Sequence, residues 1–220
     1  MIISQNIAGI QKELKLYPRA SLLVVTKLRT SDEMTEVFQS HVLKIGENRV
    51  QEMVQKLHYI PSEIERHMIG HLQKNKVKKA VGIFDIIESV DSLSLAEKIS
   101  EESNTLQKTI PIFLQVNISH EPQKGGFFPE EILDAYKKIE QLSSIKICGI
   151  MCIPKFTNDQ HEARSYFSDM FQLYKNIIHN FYLDEQKFEL SMGMSHDYKI
   201  ALEEGATLVR IGRRIFEENM

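Results

Sequence analysis

Lys27 directly follows the largely apolar run Ser21 to Thr26, SLLVVT. A lysine at the end of such a strand points into a barrel mouth, where desolvation and a neighbouring Arg210 would lower its pKa. That would leave a nucleophilic amine able to form Schiff bases. The competing reading is a strand-end lysine whose stem packs while its ammonium reaches water. A second group lies near the end of the chain, in Ser191-Met192-Gly193-Met194-Ser195 and in Arg210-Ile211-Gly212-Arg213. Serine hydroxyls and backbone N–H groups bared by glycine hold phosphate in the last two loops of many barrels. The plainer alternative is two turns that need glycine for backbone reasons. An amine together with a phosphate cradle suits a phosphorylated aldehyde or ketone, and pyridoxal phosphate is the commonest cofactor of that description.

Other constellations carry less chemistry. His67 and His71 would make a metal pair only on one helix, whereas the pattern puts them across a strand end. Lys74, Lys76, Lys78 and Lys79 form a basic run without interleaved aromatics, which reads as a solvated helix face and not as an RNA surface. Cys148 and Cys152 fall at i and i+4 of one strand, on the same face if alternation holds and too far apart for a disulfide. Both are expected as reduced thiols packed like small hydrophobes in a cytoplasmic protein.

Short apolar runs alternate with segments of helical period along the whole chain, the pattern of βα units around a parallel sheet. After an amphipathic opening over 3–17, strands are expected at 21–26, 42–46, 68–70, 84–90, 111–118, 145–153, 188–192 and 207–211. Helices are expected between them, the first capped by Ser31 and the one at 129–142 beginning with proline. Eight strand candidates favour a single-domain (β/α)8 TIM barrel over 1–220 rather than a doubly wound sheet. With little chain left after strand eight, the opening helix is expected to help cover the barrel.

The composition agrees with this reading. The 220 residues carry 27 Lys+Arg against 30 Asp+Glu, a net charge of -3, and are 42% hydrophobic. That is a globular profile, large enough for one core. It gives no field for phosphate backbones, and no apolar run is long enough to span a bilayer. Neither nucleic acid nor membrane is expected as a partner.

Several stretches together resemble one family. VVTK (24–27), IGENRVQE (45–52), MIGHLQKNKVK (68–78), ESVDSLSLAEKI (88–99), FLQVNIS (113–119), GIMCIP (149–154), LSMGMSHDY (190–198) and EGATLVRIG (204–212) are similar to motifs of the pyridoxal phosphate homeostasis proteins, also called the YggS or PROSC family. They cover nearly the whole chain in the family's order. The resemblance implies a fold-type III barrel like the N-terminal domain of alanine racemase, with pyridoxal 5'-phosphate held as a Schiff base on Lys27. It implies Asn48 beside the ring hydroxyl, Arg210 facing the pyridine nitrogen, and Ser191, Gly212 and the backbone of Arg213 on the phosphate, with His71 and Met192 also at the site. A guanidinium cannot readily protonate the ring nitrogen, so the electron sink would be weak. The tyrosine that related racemases draw from a second domain has no counterpart here. The implied role is intracellular cofactor homeostasis, buffering or delivering the cofactor to acceptor apo-enzymes and balancing amino-acid and keto-acid pools, by a monomer or weak dimer without robust catalysis.

The chain departs from the family where Gly-Thr usually follows the strand-eight arginine, since Gly212 is followed here by Arg213 and Arg214. Phe216 is likewise followed by Glu217 in place of glycine. A lost threonine hydroxyl removes one phosphate hydrogen bond, while the backbone N–H remains and a guanidinium could substitute at greater strength, so phosphate affinity is open to change in either direction. Two other readings remain at this level. One is a racemase or lyase of a small amino acid with His71 as the acid/base partner. The other is a cofactor-free phosphosugar barrel using Lys27.

Overall fold

The computed structural model describes residues 2–217. Eight parallel strands close on themselves in chain order: β1 (Ser21–Val25), β2 (Lys44–Glu47), β3 (Glu65–Met68), β4 (Ile86–Val90), β5 (Ile110–Val116), β6 (Ile145–Cys152), β7 (Glu189–Met194) and β8 (Leu208–Ile211). β8 pairs back onto β1, with Leu23 opposite Arg210. Closure removes every sheet edge, and the helices cover the outer face of the barrel. The single-domain (β/α)8 expectation therefore matches the architecture of the described residues.

The helices are α1 (Ile2–Leu14), α2 (Ser31–Gln39), α3 (Val50–Lys56), α4 (Val77–Ile83), α5 (Leu93–Thr105), α6 (Ile132–Ile139), α7 (Gln160–Phe181), α8 (Tyr198–Glu203) and the single turn α9 (Arg213–Phe216). α1 turns Ile3, Ile7, Ile10 and Leu14 inward, a spacing that puts all four on one stripe. It packs against α2 and α9, covering the side that a longer last helix would otherwise cover. The cap of α2 is Thr30 and not Ser31. Its hydroxyl accepts the Glu33 N–H while the Glu33 carboxylate accepts the Thr30 N–H, a reciprocal box that Ser31 could not form one residue later.

Two strands differ from expectation in ways that matter to the interior. β3 starts at Glu65, ahead of the apolar residues that suggested it, because its charged residues have partners. Arg66 makes a two-pronged ion pair with Asp85 at 2.8 and 2.9 Å, and His67 turns inward between two carboxylates. In β6, Ile147 pairs with Ile112 and Gly149 with Phe113, so Cys148 is an extra residue in the ladder. The bulge reverses the alternation. Cys148 packs with the inner cluster of Leu23, Ile69, Phe113, Met151 and Leu208, and Cys152 with the outer core, so the two thiols do not share a face. Neither is in a disulfide.

No helix among the described residues is long and apolar enough to cross a membrane. The basic run sits at the start of α4 and in the turn before it, with Lys74, Lys78 and Lys79 exposed and Lys76 half-buried.

Candidate ligand site at the carboxyl mouth of the barrel

A cavity of about 620 Å³ opens at the carboxyl ends of the strands, within the range of about 300–1,000 Å³ usual for small-ligand sites. Lys27, Asn48, His71, Arg210, Gly212 and Arg213 all line it, as do Gln115, Ser195 and His196. Six of the eight residues singled out from sequence are thus brought to one wall system.

Lys27 stands in the turn after β1 and its side chain is exposed to the cavity, so the protein around it does not supply the desolvation expected from sequence. What the protein does supply is a fixed platform. The Arg29 N–H returns to the Thr26 carbonyl, Leu28 takes a left-handed φ of 60°, and its N–H donates to Glu52 at 3.0 Å. Beneath the turn, the buried Lys56 ammonium donates to the Thr26 carbonyl at 2.6 Å and to Glu47 at 2.5 Å, and the Thr26 hydroxyl donates to the same carboxylate oxygen at 2.7 Å. Glu47, Glu52 and Lys56 come from β2 and α3, so this segment holds the β1 turn from below. The Asn48 side chain belongs to the same segment, and the close approach of Gly70 fixes its backbone. A Cβ on Gly70 would lie 2.3 Å from the Asn48 carbonyl oxygen.

The opposite end of the chain brings the β7 and β8 turns together at the cavity rim. A register shift between Ser191 and Met194 inserts one extra residue into β7 against β8. Gly193 there takes a φ of +89°, which a side chain rarely adopts. The following turn is closed by the Met194 N–H donating to Asp197 at 2.7 Å. Ser195 is thereby aimed at the β8 turn, where its Oγ accepts the N–H groups of Gly212 at 3.2 Å and Arg214 at 3.3 Å. Two main-chain donors thus converge on one oxygen at the rim of the cavity. Arg213 projects from the same turn and is exposed, while Arg214 lies over the Tyr198 ring at 5.7 Å.

Ser191 and Met192 do not reach the cavity. Ser191 is fully buried inside the barrel between Glu88 and Arg210, and Met192 alternates outward into the core under the helices. The hydroxyl at the cradle is that of Ser195, one turn beyond. Arg210 is 3% exposed and anchored from behind, with Nη1 donating to Ser191 at 2.6 Å and Nη2 to the Cys152 carbonyl at 2.7 Å. His71 is at the rim with most of its side chain in solvent, its Nδ1 3.1 Å from Asp91. Asn117, just beyond the end of β5, ties down the β5–α6 loop through the Glu121 and Lys124 carbonyls.

Some lining residues had no signal in the sequence. The Phe156 and His196 rings meet at a tilt with centroids 5.1 Å apart, bringing the β6 and β7 loops together over one wall. Gln123 and Gly125 arrive from a loop held to β5 by the Gln115 amide at 2.8 Å. None of these lies on a periodic element, so only tertiary contact reveals them.

The residues present suit a phosphorylated pyridine aldehyde. They comprise a primary amine, a guanidinium with its outer donors toward the cavity, a side-chain amide and a hydroxyl with two converging N–H groups. A closed parallel barrel with such a donor set at its carboxyl mouth defines a ligand-binding (β/α)8 protein. Residues 2–219 match the family model described as alanine racemase, N-terminal domain. The pyridoxal phosphate homeostasis protein of Pasteurella multocida is 34% identical over 98% of this chain and 97% of its own length, and that of Helicobacter pylori strain 26695 is 34% identical over the same shares. Among solved structures, PipY of Synechococcus elongatus with PLP bound is 31% identical, with a TM-score of 0.86 over 97% of this chain and 99% of its own. The chain belongs to the pyridoxal phosphate homeostasis protein family. An alanine racemase from Clostridium difficile, at 12% identity and a TM-score of 0.78, shares the fold over 98% of this chain and 57% of its own.

Proposed function

We propose that this chain binds pyridoxal 5'-phosphate at the barrel mouth through the Lys27 amine and serves cofactor homeostasis, keeping the cofactor in a form that other amines and acceptor apo-enzymes can reach. The observation that carries this is the meeting, in one cavity, of Lys27 with Gly212, Arg213 and Ser195, whose oxygen is fixed by the Gly212 and Arg214 N–H groups. When bound, the cofactor supplies an aldehyde carbon that exchanges between amines and a ring that withdraws electrons.

Each protein group has a distinct task. Lys27 is the anchoring amine, kept at a fixed height by the Thr26, Glu47 and Lys56 contacts beneath it. Ser195, its oxygen oriented by the Gly212 and Arg214 N–H groups, would hold the phosphate through its hydroxyl proton, with Arg213 as a cation able to strengthen that end. Asn48 offers its amide to the ring hydroxyl. Arg210 would donate to the ring nitrogen and, as a permanently charged guanidinium, would leave it unprotonated, so the ring would give little help to proton abstraction at an attached carbon. The exposure of Lys27 and His71 leaves the anchoring amine reachable from solvent, which suits exchange.

The test is the visible absorbance of the purified protein before and after borohydride, beside Lys27→Ala. A yellow band that reduction fixes onto the Lys27 peptide, absent from the variant, is the expected result. A colourless protein that takes up no added pyridoxal phosphate overturns the reading and moves the phosphosugar barrel forward. For the homeostatic role, the loaded protein should activate an added apo-enzyme faster than cofactor is lost to a bulk trap. Transfer no faster than release into solution would leave storage without delivery.

A further inference from the structure

Behind Arg210 a continuous line of polar side chains runs through the barrel interior. The Arg210 guanidinium donates to Ser191 Oγ at 2.6 Å, the Ser191 hydroxyl donates to Glu88 Oε2 at 2.6 Å, Glu88 Oε1 faces His67 Nδ1 at 2.6 Å, and His67 Nε2 faces Glu65 Oε1 at 2.8 Å. Ser191, Glu88 and His67 are fully buried, and only Arg210, at one end of the line, touches the cavity. Glu65 opens at the other end of the barrel, where β3 begins. Barrel interiors are ordinarily filled with branched apolar side chains, and buried ion pairs are seldom better for stability than the apolar residues that could replace them. This line therefore calls for a reason other than packing.

Its direction is set by hydrogen-bond capacity. A guanidinium only donates, so Ser191 Oγ must accept from it, and the single hydroxyl proton then goes to Glu88. Both ring nitrogens of His67 face carboxylates, so both carry protons. The line then holds two cations and two carboxylates. With one guanidinium nitrogen tied to Ser191 and another to the Cys152 carbonyl, the plane of Arg210 is fixed and its remaining N–H groups are left for the cavity.

We propose that Glu88, braced by His67, is a positioning residue that acts through Ser191 to fix Arg210 as an oriented donor, so that this end of the site selects a ring carrying an unprotonated nitrogen. The proposal rests on the cofactor reading above. Burial alone would push the Glu88 carboxyl up, yet the His67 hydrogen bond and the charges of His67 and Arg210 hold it below its ordinary value, so it remains an acceptor.

The experiment compares the affinity of the full chain for pyridoxal phosphate and for its 1-deaza analogue, which keeps the aldehyde, hydroxyl and phosphate and replaces the ring nitrogen by C–H. Wild type, Glu88→Gln and Ser191→Ala are measured, with thermal unfolding of each. Wild type should prefer pyridoxal phosphate, and Glu88→Gln should cut that preference roughly tenfold, the size of one charge-assisted hydrogen bond. Ser191→Ala should act in the same direction. Equal weakening of both ligands, or an unchanged preference in both variants, overturns the proposal, since a merely structural role would not distinguish the rings. If Glu88→Gln fails to fold, Ser191→Ala, which removes one buried oxygen, decides the matter by the same ratio. A wild-type protein that binds neither ligand sinks the cofactor reading itself, whereas binding without a change in preference sinks only this inference.

Discussion

Lys56 lies 2.5 Å from Glu47, with both side chains buried directly beneath the turn that carries Lys27. The pair supports the Lys27 turn from below, and neither of its members lines the cavity. Removing one member leaves a buried charge uncompensated, which costs about 3–5 kcal/mol. Lys56→Ala should therefore lower stability by that order in chemical denaturation, while the double variant Lys56→Met, Glu47→Leu should recover most of the loss. A double variant whose loss equals the sum of the two single losses would mean that the two act independently.

The cradle makes a different distinction. Ser195→Ala removes the oxygen on which the Gly212 and Arg214 N–H groups converge. Affinity for pyridoxal phosphate should fall roughly fivefold to tenfold, the worth of about one hydrogen bond, while affinity for pyridoxal, which lacks the phosphate, should hold. Equal losses for both ligands would place Ser195 away from the phosphate.

Gly193 is a backbone requirement. At a φ of +89°, an added Cβ would lie 2.5 Å from the Ala201 Cβ and 3.0 Å from the Tyr198 Cα. Gly193→Ala should cost about 1–3 kcal/mol through strain and crowding, seen as a lower melting temperature, and should also reduce cofactor uptake because the same turn presents Ser195.

His67 links stability to pH. Burial alone would lower its pKa, but the hydrogen bonds and charges of Glu65 and Glu88 overcome this and hold it above its ordinary 6.5. A raised pKa contributes stability that is full below the unfolded value and is lost as pH climbs through the folded one. The neighbouring charges are Glu65 with Lys44 beside it on β2, Glu88 on β4, and Arg210 through Ser191. The gap in melting temperature between wild type and His67→Gln should thus be widest at about pH 5–6 and narrow steadily on the alkaline side. A gap that is constant with pH would show that the imidazole is neutral throughout.

The thiols should be quiet. Burial pushes Cys152 up to about 12 and also raises half-buried Cys148, so little thiolate forms at neutral pH. Alkylation by iodoacetamide should be slow at Cys148 and absent at Cys152 until the protein is unfolded, as read by peptide mass.

The order of eight strands, the positions of Lys27, Arg210 and Gly212, and the family were legible in the chain, because apolar runs and terminal glycines report local requirements directly. Asn48 and His71 came with the family motifs and do line the cavity. Two residues expected at the site, Ser191 and Met192, fall outside the cavity. Ser191 and Ser195 are both hydroxyls beside Gly193, and only the extra residue in β7 decides which of them reaches the mouth. The sequence does not reveal the start of β3, because Glu65, Arg66 and His67 look like loop until Asp85, just before β4, and Glu88, on β4, are brought alongside.

What the sequence determined by itself was the alternation of elements and the chemistry carried at strand ends, since both follow from periodicity and from residue type. What only the tertiary structure decided was which polar groups face one another. Glu88 and Ser191 are separated by 103 positions, and their contact exists because barrel closure turns β4 and β7 toward a common axis. A β-bulge of one residue changes which side chains point to that axis without leaving any mark in the hydrophobic pattern.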